Sequence, residues 1–131
     1  MYNSLNVLWV GGLLALSFLP ARPAMAGQTD KRTEFQFSEP VEIPGAVLEP
    51  GTYVFRVADT VDLNVVEILS ENSNGDESLV RIIQASPDYV LIAPDTPVIN
   101  FEERPSGAPE AVSSWFYPGN NFGWKFNYPK N

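Results

Sequence analysis

From residue 27 onward this chain alternates short apolar and polar runs with turn residues, and no stretch of ten residues keeps a helical period. Residues 41–57, VEIPGAVLEPGTYVFRV, show the plan. Pro44-Gly45 suits the centre of a type II turn, where Pro sets φ and Gly supplies a positive φ. Pro50-Gly51 repeats the pair. In residues 52–58 Tyr53, Phe55 and Val57 point one way, and Thr52, Val54 and Arg56 point the other.

The rest of the chain follows suit. Residues 33–38, 64–70, 79–85, 89–93 and 98–103 read as strands, 111–117 as a strand or a short helical turn that becomes one, and 120–128 as the last strand. Asn74-Gly75 marks a hairpin tip. Residues 86–88 and 104–110 read as a turn and a loop, and Pro118-Gly119 is a third Pro-Gly corner. About eight short strands with turns every 8–12 residues predict an all-β domain. The two architectures that fit are an antiparallel β-sandwich, jelly-roll or immunoglobulin-like, and a small closed β-barrel.

Residues 1–26 read differently. Residues 7–19, VLWVGGLLALSFL, are apolar but short of a membrane span, which needs about 20 residues. Ala24-Met25-Ala26 follows as an A-x-A cleavage pattern, although no Lys or Arg precedes the apolar run. The expectation is a signal peptide over 1–26, a single domain over 27–131, and a secreted or periplasmic address. An uncleaved anchor is the alternative.

Composition excludes several chemistries. With no Cys, no disulfide can form, and the fold must rest on its core. With no His, the commonest general base and the usual zinc and copper ligand sets are missing. The formal charge is −8, which repels phosphate and argues against a nucleic-acid partner. No cofactor fingerprint or phosphate loop occurs.

Three groups of residues invite a functional reading. Glu102 and Glu103 are paired carboxylates, but neighbours in a strand face opposite ways, so a common cleft is not expected. The loop 70–77 is rich in oxygen ligands, yet aligning Gly75 with the EF-hand glycine puts Arg81 where the bidentate Glu belongs. The aromatics Trp115, Phe116, Tyr117, Phe122, Trp124, Phe126 and Tyr128 crowd the C-terminal end. Exposed, Trp115, Tyr117 and Trp124 would make a platform for sugar rings, with Asn120 and Asn121 as amides for hydroxyl groups. Buried, they would be core. A mixed arrangement would bury Phe122 and Phe126 and leave Trp124 at the surface.

The runs FSEPVEIPGAVLEPGTYVF, INFEERPSGAPEAVSSWFYPGNNFG and FNYPK together resemble a group of small exported bacterial proteins with no assigned function. The resemblance spans nearly all of residues 27–131. It implies an exported β-domain and brings no activity, ligand or catalytic residue. The expectation is a non-enzymatic binding or structural module of the envelope or extracellular space. Its partner would be an envelope protein or polysaccharide. A sugar-binding module and a carboxylate-based envelope hydrolase are the alternatives.

Overall fold

A computed structural model describes residues 31–58 and 60–130. The signal peptide expected over 1–26 lies outside the described residues.

The described residues form ten strands: β1 (Arg32–Phe37), β2 (Val41–Ile43), β3 (Ala46–Leu48), β4 (Gly51–Val57), β5 (Val65–Glu71), β6 (Glu77–Gln84), β7 (Ser86–Tyr89), β8 (Val98–Glu102), β9 (Glu110–Phe116) and β10 (Phe122–Lys125). They make a β-sandwich of two sheets, not a closed barrel. The first sheet runs β1-β4-β5-β6. The second runs β3-β2-β9-β10-β7, with β8 on the other side of β9.

The first sheet is antiparallel throughout. Its core face is the alternation seen in the sequence. Thr33, Phe55 and Ile68 stand opposite one another on neighbouring strands, as do Phe35 and Tyr53. The second sheet departs from expectation, because β2 pairs with β9 in parallel, Val41 opposite Glu110. The sheet is therefore mixed. Pro44-Gly45 turns β2 into β3, and Gly45 takes the positive φ of 85° that the turn requires. Pro50-Gly51 is not a second such turn. Gly51 is already in β4, paired with Phe37.

Between the sheets lies an aromatic core. Phe55 packs edge-on to Phe35 at 5.2 Å and to Trp115 at 5.9 Å, and stacks on Phe126 at 5.9 Å. Such pairs add about 0.5–1.5 kcal/mol each beyond the area they bury. Phe37 meets Phe101 edge-on and closes the β1–β8 side of the sandwich. A bulge shapes β9: Val112 pairs with Phe101 and Ser114 with Asn100, so Ser113 is the extra residue. That shift lets Val112 and Trp115, three apart, both enter the core.

The outer face of the first sheet carries a second apolar contact. Val54 and Leu69 are opposed and buried there. Arg56 pairs with Glu67 across the same face at 2.7 Å, and an Arg32–Glu77 ion pair joins the two outermost strands.

Both edges on the β6–β7 side are blunted. Val80 bulges out of the β5–β6 ladder, because Leu69 faces Leu79 and Ile68 faces Arg81. Arg81 donates to the Gly45 carbonyl of the opposite sheet. On β7, Pro87 sits in an edge strand, where its missing N–H costs no ladder bond. Bulges and edge prolines are devices against strand addition.

Candidate functional site

Of the three arrangements open to the C-terminal aromatics, the open platform does not exist. Trp115 is 0 % exposed and Trp124 2 %. They are paired directly across β9 and β10, with ring centroids 4.7 Å apart. Both indole N–H groups are spent inside the protein: Trp115 donates to the Thr33 hydroxyl at 3.2 Å, and Trp124 to the Leu63 carbonyl at 2.9 Å. The Trp pair is core because a small cysteine-free sandwich needs its largest side chains there. The mixed arrangement is reversed for two of its rings: Phe122 is partly exposed and Trp124 is buried, while Phe126 is buried as expected.

Tyr117 is half-buried against the core, with Lys31 Nζ 5.6 Å from its ring centre. Asn120 is half-buried, and its backbone N–H donates to the Tyr117 carbonyl at 3.2 Å. The Asn121 side chain faces neighbouring backbone instead of a ligand. Its amide donates to the carbonyls of Val90 and Leu91, at 3.4 and 3.2 Å.

That contact exposes what the sequence reading missed. Residues 89–93 read as a strand, yet β7 occupies Ser86–Tyr89, over the expected turn, and residues 90–97 are irregular. Val90 donates its N–H to the Asn121 carbonyl at 2.8 Å, and Gly119 donates to the Pro94 carbonyl at 2.9 Å. These bonds fasten the segment to the β9–β10 turn and drive its apolar side chains outward. Leu91 is 97 % exposed and Ile92 82 %. Tyr89 and Phe122, opposed on β7 and β10, are exposed beside them. The result is a convex apolar knuckle on a fixed backbone. The signal was an apolar run framed by Pro87 and Pro94, too tightly bracketed to be an ordinary strand.

A groove of about 1000 Å³ lies near the opposite end of β9. At its centre Arg104 is forked between Glu42 at 2.9 Å and Glu102 at 2.7 Å. Glu42 and Glu102 flank Ala111 on β2 and β8, so the pairing joins three strands. The Arg104 guanidinium also lies over the Tyr128 ring, 4.8 Å from its centre. The Tyr128 hydroxyl is 2.6 Å from the Val112 carbonyl and 3.1 Å from that of Glu42, and shares one proton between them. Burial, then the Glu42 carboxylate, holds that hydroxyl well above the usual tyrosine pKa. Ala46, Val47 and Pro129 supply apolar wall, and Lys125 and Lys130 line the rim.

The paired carboxylates take separate roles. Glu102 is held by Arg104, and Glu103 is exposed beyond the end of β8. In the loop 70–77, Asn72 Oδ1 accepts from the N–H groups of Asn74 and Asp76, at 2.9 and 3.0 Å, and so closes the hairpin. Among the described residues no helix is long and apolar enough to cross a membrane.

No protein family, curated protein or solved structure matches this chain.

Proposed function

We propose that this chain is an exported, non-enzymatic β-domain that serves as a binding or structural module of the cell envelope or extracellular space. One observation carries the reading. Leu91 and Ile92 stand in water on a backbone held by Asn121 and Gly119. A contiguous exposed apolar group on a fixed support is the usual mark of a docking surface. Because the backbone is already ordered, little conformational entropy is lost when a partner covers it.

The non-enzymatic part is supported by where the acids sit. Glu102, the first of the two carboxylates singled out in the sequence, is ion-paired with Arg104, which it shares with Glu42, and Glu103 is exposed beyond the end of β8. The exported part rests on residues 1–26.

The test is a comparison of native protein with a Leu91→Asp, Ile92→Asp variant in pull-downs from envelope extract. Retention by the native protein alone, at equal melting temperature, supports the reading. Equal retention of the same material by both would remove the knuckle from it.

A further inference from the structure

We propose that the partner of the knuckle is a second copy of this chain, which receives Leu91 and Ile92 in its groove so that copies join head to tail. The inference rests on the binding-module reading above and names its partner.

Shape comes first. The knuckle is convex and apolar, and the groove is concave with Val47 and Tyr128 in its wall. They sit at opposite ends of one scaffold. The groove is built at the start of β9, where Glu42 and Glu102 flank Ala111. The knuckle is fastened to the turn that follows Phe116 at its end. The Arg104 centre of the groove lies about seven residues of strand from the knuckle, roughly 20 Å, while Lys125 on its rim is three residues from Phe122 along β10. A surface at one end that fits a surface at the other makes a heterologous contact, which leaves a free knuckle and a free groove after every addition.

Charge is complementary too. Asp95, just past the knuckle, is exposed, whereas Asp88 before it is half-buried and accepts from the Tyr89 N–H at 3.0 Å. The groove carries Arg104, Lys125 and Lys130 against two carboxylates, in a chain whose formal charge is −8. Glu42 and Glu102 already engage Arg104, and among the described residues neither Lys125 nor Lys130 has an ion pair. Two unpaired lysines on the rim of a groove would meet Asp95, exposed beside the side chains that would fill it. Opposed charges of this kind fix register more than they add affinity.

The blunted edges point the same way. Strand addition at these two edges is hindered by the Val80 bulge on β6 and by Pro87 on β7. The remaining contact on this side is made by side chains.

The experiment is sedimentation velocity of the purified protein from micromolar to millimolar concentration, with two surface variants. Ile92→Asp removes the knuckle, and Lys125→Glu with Lys130→Glu reverses the groove. The native protein is expected to form species larger than a dimer as concentration rises. Each variant alone weakens self-association by about thirtyfold or more, the loss expected of a central anchor. An equimolar mixture of the two restores one contact, since one variant keeps its groove and the other its knuckle. That mixture yields a heterodimer and nothing larger.

A native protein that stays monomeric throughout overturns the inference. So does a dimer that both variants leave intact, or a mixture that stays monomeric. If the native protein is monomeric but the pull-down still depends on Leu91 and Ile92, the second copy is wrong and the binding module stands. If neither measurement depends on the knuckle, both fail.

Discussion

The indole rings of Trp115 and Trp124 lie 4.7 Å apart at 31° to one another, on directly opposed positions of β9 and β10. Trp115 also meets Phe55 of the other sheet edge-on, so the pair ties the two layers together. Replacing Trp115 by Ala removes a fully buried ring and leaves the Thr33 hydroxyl without its donor. The expected cost is about 3–5 kcal/mol, read as a lower midpoint in urea unfolding.

Gly123 makes that pairing fit. A Cβ at this position would stand 2.4 Å from the Trp115 carbonyl oxygen and 2.6 Å from the Phe116 ring. The nearer obstacle is backbone, which cannot rotate away. Gly123→Ala is therefore expected to destabilise by roughly 1–3 kcal/mol, the range for overpacked cores, despite adding only a methyl group. Thermal unfolding beside a Gly107→Ala control, where no atom lies within 4 Å but φ is +88°, separates crowding from left-handed strain.

Much of this architecture was legible in the sequence. The alternation of Tyr53, Phe55 and Val57 gives β4, Asn74-Gly75 gives the β5–β6 hairpin, and Pro44-Gly45 gives the β2–β3 turn. Strand periodicity is local, so it can be read locally. The parallel β2–β9 pairing joins residues about seventy positions apart and leaves no local trace. The bulge at Ser113 was equally hidden, since an inserted residue looks like a lapse in alternation.

The site fared worse for a related reason. Composition cannot separate a Trp that faces a ligand from one that faces Phe55. Asn121 was singled out for its amide, and it does bind polar groups, but they are the carbonyls of Val90 and Leu91. Leu91 and Ile92, in a run that reads as a strand, are exposed instead, with Tyr89 and Phe122 beside them.

Tyr128 predicts behaviour in alkali. Its hydroxyl pKa is raised above the ordinary 10.0, first by burial and then by Glu42. A raised value favours the fold below about pH 10, and that contribution is lost as pH climbs toward the folded-state pKa. Tyr128→Phe should lower stability by about 1 kcal/mol near pH 8, where its hydrogen bond is lost. The gap between the two proteins should narrow above pH 10. Tyr53, also raised by burial, gives both the same background. Melting temperatures across this pH range provide the check.

Glu110 carries the same sign of linkage into the acid range. Glu110 is exposed at the start of β9, so the desolvation of its carboxyl is partial; that, then the carboxylates of Glu103 and Glu39, raises its pKa above 4.5. Stability from this group is present below that value and lost as pH rises through the folded-state pKa. Glu110→Gln should therefore raise the melting temperature at pH 7, by about 2 °C or less given solvent screening. The gain should vanish near pH 3, where the native carboxyl is already protonated.

The account depends most on one contrast, that Leu91 stands in water while Trp115 and Trp124 do not. Acrylamide quenching of a Leu91→Trp variant beside its parent, both carrying Trp9→Phe so that Trp115 and Trp124 are the remaining native indoles, measures it directly. At low concentration the account predicts native indole emission that is blue-shifted and poorly quenched, with the variant adding a red-shifted, readily quenched component. A new indole as shielded as the native pair, or native indoles quenched as freely as tryptophan in solution, would contradict it.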